Sequence, residues 1–187
     1  YLVGNHDEPN LLQRILLQRE QAISTFHYEF ECNGVQFICL DTQTAATQQG
    51  IKEPAGWIGD DQLAWLDKLC AAKDERPLVV ALHHNPLKVG IPWFDDFMAL
   101  QNGDALHTIL LQARTRVRGV FFGHIHQNVD LYRDGILYTS ALSSWYQLHA
   151  YPGQTKTHID ENAEPGFNVV TIARDQTFIR HHRFAVR

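Results

Sequence analysis

Long apolar runs, blocks of like charge and paired cysteines are all missing from this 187-residue chain. Without about 18 to 20 uninterrupted apolar residues no membrane span is expected, and no charged-then-apolar leader opens the sequence. The formal charge of −5 comes from scattered acids and bases, so no basic field exists to hold a nucleic-acid backbone. Cys32, Cys39 and Cys70 form no CxxC pair. Their odd number suits buried thiols in a reducing compartment better than a disulfide framework. These absences point to a cytoplasmic globule. No repeat, low-complexity tract or linker divides it, and 44% apolar residues suffice for one core. The first residue is not Met, so the true N-terminus is expected upstream.

Hydrophobic periodicity sets the order of elements. Tyr1-Leu2-Val3 reads as the end of a buried strand stopped by Gly4, and residues 10–22 carry apolar side chains at helical spacing. "FHYEFECNGVQFICLDT" is two alternating runs joined by Asn33-Gly34, the dipeptide that tolerates a type I′ turn. "GDDQLAWLDKLCAAKD" predicts a helix of about fourteen residues with an acidic first turn. "PLVVAL" and "VRGVFF" are short apolar strands suited to burial on both faces, separated by the amphipathic "GDALHTILLQART". Two hairpins follow, with turns at Asp134-Gly135 and Arg174-Asp175, and a long loop covers 150–166. The class is α/β, with buried strands alternating with helices first and hairpins last.

Histidine is abundant, eleven in all, and its placement carries the chemistry. Gly4-Asn5-His6-Asp7, His83-His84-Asn85-Pro86 and Gly123-His124-Ile125-His126 each lie just past a predicted buried strand. In open α/β sheets the crevice beyond the strands' carboxyl ends is where ligands bind, so the three clusters converge on one site. His124 and His126, at i and i+2, project to one side of an extended segment, a geometry suited to a metal. His83 and His84 are neighbours and cannot both face one point, so at most one is a ligand, and the other orients substrate or packs. Asn5 offers a neutral carbonyl oxygen to a divalent ion, with a turn role as the alternative. Side chains adjacent along the chain diverge, which leaves the His6 imidazole free to donate a proton. Asp7 either orients His6 or caps the following helix.

Gly-Asn-His-Asp, an apolar strand ending in His-His, and Gly-His-x-His, in this order, resemble the later motifs of the calcineurin-like metallophosphoesterases. "GDDQLAWLDKL", "IPWFDDFMALQN" and "GHIHQNVDLYRDG" make the chain similar to bacterial class III cyclic-nucleotide phosphodiesterases within that superfamily. The resemblance implies a four-layer α/β/β/α sandwich, here without its first strands, so that residues 1–187 form the C-terminal portion of a single domain. It also implies two divalent metals, manganese, iron or zinc. Asn5, His83 and His124 would bind one metal and His126 the other, with His6 as proton donor and Asp7 orienting it. Two such ions activate a water and clamp phosphate oxygens, so no protein nucleophile is required. The family's Asp-x-His and Gly-Asp motifs are absent from this chain. Asp41, in "CLDT", falls on the wrong side of the Asn-His motif to replace them and reads as structural.

The expected reaction is hydrolysis of a small phosphodiester, a 3′,5′-cyclic nucleotide first. A broader phosphodiesterase or phosphomonoesterase acting on glycerophosphodiesters or nucleotides is the alternative, and a catalytically incomplete metal- or partner-binding fragment is the third reading. His84, Trp93 and Asn102 are the candidate substrate contacts, with Phe94, Asp95 and Phe97 beside them; core or lid packing is the alternative role. Ser140, Ser143, Ser144 and Trp145 are further pocket candidates. His181 and His182 suit an exposed strand or the contact of a homodimer.

Overall fold

The computed structural model describes residues 1–20, 23 and 25–185. Its centre is a six-stranded mixed sheet in the order β1-β2-β3-β4-β6-β5. β1 (Tyr28–Cys32) and β2 (Val35–Cys39) form the first hairpin. Asn33 and Gly34 turn it with φ of 51° and 77°, the left-handed conformation that this dipeptide tolerates. β3 (Leu78–Ala81), β4 (Val117–Phe122) and β6 (Ile136–Ser140) continue the sheet in parallel, and β5 (Asp130–Arg133) closes its edge antiparallel to β6. The parallel strands β3 and β4 are apolar runs because both of their faces are covered.

After a short helix, α2 (Thr44–Gln48), two crossover helices lie between the parallel strands, α3 (Asp60–Ala71) and α4 (Gly103–Leu111). Their apolar stripes, Leu66 with Leu106 and Leu110, pack on Ile38, Leu78, Val80, Val120 and Phe122 in one continuous core. Alternate sheet residues face the other way, where Phe30 and Phe37 stack at 4.8 Å. A second, two-stranded sheet of β9 (Gly166–Ile172) and β10 (Thr177–Arg183) is tied to the central one. The Thr177 hydroxyl donates to the Arg118 carbonyl at 2.6 Å and Asn168 to that of Ser140 at 3.0 Å. Among the described residues this hairpin is the whole of that second sheet. β7 (Gln147–Leu148) and β8 (Ile159–Asp160) make a small third sheet that interrupts the expected 150–166 loop. Among the described residues no helix is long and apolar enough to cross a membrane.

Two local expectations change. Tyr1-Leu2-Val3 is not a strand: Val3 is fully buried, but the Tyr1 carbonyl accepts from the Tyr28 hydroxyl at 2.9 Å instead of joining a ladder. The first helix, α1, is shorter than the apolar spacing suggests, running from Pro9 to Leu16. Gln18 takes φ of 52° and the Arg19 amide closes onto the Gln13 carbonyl at 3.2 Å, ending the helix. Residues 21 and 22 of the expected helix lie outside the described residues. Gln13 is its buried side chain because the amide bonds both backbone groups of Ile23, at 2.9 and 3.0 Å, while Leu11, Ile15 and Leu16 stay exposed.

Candidate metal centre and its cavity

The three polar clusters meet at the carboxyl ends of β3 and β4. His83 follows β3, and its carbonyl accepts from the Gly123 amide at 3.0 Å, locking together the loops that leave the two strands. Asn5 sits in a tight turn in which the Gly4 amide donates to Asp7 Oδ2 at 2.8 Å and the Asp7 amide to the Gly4 carbonyl at 3.1 Å. A Cβ on Gly4 would stand 2.8 Å from the His83 ring, so only glycine lets this turn approach the imidazole.

Asn5 Oδ1 lies 2.9 Å from His83 Nε2, and His124 Nδ1 lies 3.0 Å from that same nitrogen. One ring nitrogen carries at most one proton, so it cannot satisfy both neighbours as a full hydrogen-bond donor. A divalent cation would relieve the conflict. Donors about 2.1 Å from an ion and at right angles stand about 3.0 Å apart, the spacing seen here. The residues therefore fit one metal, which Asn5, His83 and His124 would hold. His126 is prepared differently, with Nδ1 against the Tyr146 carbonyl at 2.8 Å, an orientation that leaves Nε2 as a lone-pair donor.

Burial keeps these rings neutral. It pushes His83 down to about 4, against a partial upward pull from the Asp7 carboxylate, and His84 down to about 3. His124 is driven well below its ordinary value and His126 below it to a lesser degree, in both cases by burial first. Neutral imidazoles are the ligand form.

The motif Gly123-His124-Ile125-His126 is not extended. His124 and His126 adopt φ of 69° and 51°, rare for residues with a Cβ, and the amide of the fully buried Ile125 folds back on the Gly123 carbonyl at 2.7 Å. The two rings thus do not share one side as the i, i+2 spacing suggests: His124 turns inward to His83, His126 outward to Tyr146. A cavity of about 230 Å³ opens over them, bounded by Asn5, His6, His124, His126, Trp93 and Tyr146. A larger hollow of about 560 Å³ between Leu87, Asp95, Asp104 and Arg133 contains no histidine.

Other expected contacts are placed elsewhere. His84 is fully buried, so it cannot touch substrate; its Nδ1 shares a 2.6 Å hydrogen bond with the Thr42 hydroxyl, and its ring backs His124 at 4.5 Å. Asn102 is a strap, clasping both backbone groups of Ile58 at 2.8 and 3.0 Å. Asp7 spends its carboxylate on the Gly4 turn, with no hydrogen bond to His6 among the described residues, and Glu8 caps α1 instead. Trp93 does line the cavity, stacked on Phe97 at 4.8 Å, whereas Phe94 is core and Asp95 holds the Val89 and Gly90 amides. Ser140 bonds within the sheet, Ser143 accepts from the Trp145 amide, and Trp145 is exposed. Asp41 is buried, accepting from the Phe26, Gln43 and Thr44 amides. His181 contacts Asn168, and His182 stacks on Phe167 on an exposed strand. Pro54, Met98, Leu148 and Thr157 also line the cavity, and nothing local in the sequence marks them.

A mixed α/β fold with Asn and His donors clustered at its strand ends defines a class, and in fold and family comparison with known proteins agrees. The profile of the calcineurin-like phosphoesterases matches residues 1–128, and the chain belongs to that family. It is 30% identical over 186 residues to the 3′,5′-cyclic adenosine monophosphate phosphodiesterase CpdA of Escherichia coli K12, covering 99% of this chain and 63% of that protein. It is 28% identical over 178 residues to a 3′,5′-cyclic-nucleotide phosphodiesterase of Nostoc, covering 95% of this chain and 62% of that one. The chain therefore spans under two thirds of these relatives. In fold it resembles a dimetal phosphatase from Danio rerio, with a TM-score of 0.59 at 15% identity over 96% of this chain and 70% of that one.

Proposed function

We propose that the protein carrying this chain is a metal-dependent phosphodiesterase that hydrolyses a 3′,5′-cyclic nucleotide in the cytoplasm. The supporting observation is the convergence of Asn5 Oδ1, His83 Nε2 and His124 Nδ1 in steps of 2.9 and 3.0 Å, with Asn5 and His124 lining an open cavity. Divalent ions at such a centre polarise phosphoryl oxygens and make water nucleophilic near neutral pH. The protein's own groups supply the rest. Asn5 and the two inner imidazoles hold the cation, and His126, fixed by Tyr146, offers Nε2 to a second one. His6, exposed on the cavity wall, gives its proton to the departing sugar oxygen, and Trp93 covers the leaving group and excludes water.

Among the described residues, the group of titratable side chains close enough to share an ion is His83, His84 and His124, joined by the Asn5 carboxamide and with no carboxylate to bridge two ions. The 187-residue chain by itself is accordingly expected to hold one divalent ion and turn over slowly. In the intact gene product, His6→Ala should slow cyclic AMP hydrolysis about 100-fold yet slow bis(p-nitrophenyl) phosphate less than about threefold, because a phenolate departs without a proton. Turnover of phosphomonoesters with none of cyclic AMP would overturn the cyclic-nucleotide reading and favour the broader esterase.

A further inference from the structure

The cavity over the metal centre, about 230 Å³, is smaller than the roughly 300–1,000 Å³ of pockets that enclose a drug-sized ligand. It has room for the phosphate and sugar of a cyclic nucleotide, so the base has to lie at its mouth, against the wall. Two large aromatic side chains belong to that wall, Trp93 and Tyr146. Tyr146 is already engaged by two rings, His126 at 4.6 Å and Trp145 at 5.1 Å. Trp93 pairs with one ring among the described residues, that of Phe97, stacked at 4.8 Å with 28° between the planes. One face of the indole is thus taken and the other is left for a ligand. The Nε1 atom of Trp93 is buried, so what the side chain offers the cavity is ring carbon and not its N–H.

Local structure holds the indole in place. Trp93 caps a π-helical turn, Phe94–Met98, an uncommon wide form that recurs at functional sites. The turn sets Phe97 against the Trp93 ring and brings Met98 to the cavity beside it. From the same turn Asp95 accepts from the Val89 and Gly90 amides at 2.6 and 3.0 Å, which ties it to the segment leaving His83 and His84. The Trp93 amide donates to the Gln154 carbonyl at 3.0 Å, a tie to the loop that carries Thr157 to the cavity. Phe97 is placed differently from its neighbour Phe94, which is fully buried in the core: it is 51% exposed. A side chain that keeps half its surface in water adds little to the core, and the ring it meets is that of Trp93.

We propose that Trp93 is the stacking platform for the nucleobase and that Phe97 is a positioning residue holding the indole over the cavity, an inference that rests on the cyclic-nucleotide reading above. Stacking on an aromatic ring tolerates any base, because every base has a π-face. Phe97 therefore acts on how the base is bound and not on the chemistry at phosphorus. The test is steady-state kinetics of the intact gene product in excess Mn²⁺ on cyclic AMP, cyclic GMP and the 3′,5′-cyclic phosphate of methyl riboside, which has the same cyclic phosphate and no base. Phe97→Ala should raise KM about tenfold for both nucleotides and lower kcat less than about threefold, while Phe97→Tyr keeps the parental KM. On the base-free substrate Phe97→Ala should change kcat/KM by no more than about twofold. Trp93→Leu should reproduce the rise in KM for both nucleotides, and Trp93→Phe should spare most of it. An equal loss on all three substrates, a rise confined to one nucleotide, or no rise for either overturns the platform and leaves the cyclic-nucleotide reading standing. A parental protein that turns over none of the three overturns both.

Discussion

His124 and His126 stand two residues apart, yet their surroundings differ in kind. His124 belongs to a closed floor in which His83, His84 and His124 pack ring on ring at 4.5 to 4.9 Å. Beneath it, the Thr42 hydroxyl pins His84, and Gly56 leaves room for that ring. His126 belongs to an open rim with His6, Trp93 and Tyr146, where side chains are held by aromatic packing and by a single side-chain hydrogen bond, that of His126 to the Tyr146 carbonyl. The floor is a network whose members fail together, whereas the rim is a set of separable groups. A metal needs the first arrangement, because its donors must be aligned before it arrives. Substrates need the second, because they enter and leave.

Acid should open the floor first. The folded values of His83 and His84, about 4 and about 3, lie below the ordinary value of 6.5, so the unfolded chain takes up protons before the folded one. Stability is full above pH 6.5 and declines as the pH falls towards 4 and then 3. For His83 alone the loss reaches about 3 kcal/mol by pH 4. Urea unfolding of the metal-free chain between pH 7.5 and 4.5 measures it, and a flat profile would mean that the floor is wet. The next largest effect separates the two histidines. His124→Ala should weaken the binding of the first divalent ion about 100-fold or more, and His126→Ala less than about tenfold, as titration with Mn²⁺ or Zn²⁺ would report.

Features governed by neighbours in sequence were legible without a structure. The turns at Asn33-Gly34 and Asp134-Gly135 carry their conformation in their residue types, with φ of 51° at both Asn33 and Asp134. The buried strands before the second and third histidine clusters also stood out, since apolar runs of that length bounded by helices have few other uses, whereas the run before the first cluster is no strand. Legibility ended where distant backbone decides. The spacing of His124 and His126 implies a shared side only if the chain stays extended, and left-handed conformations at both positions, set by packing of Ile125, reverse that. His84 and Asn102 are the residue types expected to meet substrate. Thr42 and Ile58, 42 and 44 positions away, bind them into the scaffold instead. Pro54 and Thr157 reach the cavity only because loops from far along the chain close over it.

Gly56 tests how tightly that scaffold supports the floor. A Cβ there would fall 2.5 Å from two atoms of the His84 ring, which is buried and hydrogen-bonded and has nowhere to move. Gly56→Ala should cost about 2 kcal/mol in urea unfolding and lower metal affinity, although the residue touches no ligand atom. Retained affinity would show that His84 packs without aligning His124.

The smallest effect belongs to the rim. His6 is exposed, and none of the hydrogen bonds described above uses its side chain. Its removal leaves no buried group unpaired and no cavity in the core, the two ways in which a single substitution becomes expensive. His6→Ala should therefore change urea stability and the affinity for the first metal by less than about 0.5 kcal/mol, even where it slows cyclic AMP hydrolysis. A fall in metal affinity matching that of His124→Ala would erase the distinction between floor and rim. It would mean that His6 turns inward when an ion binds and that the proton reaches the leaving oxygen from another group.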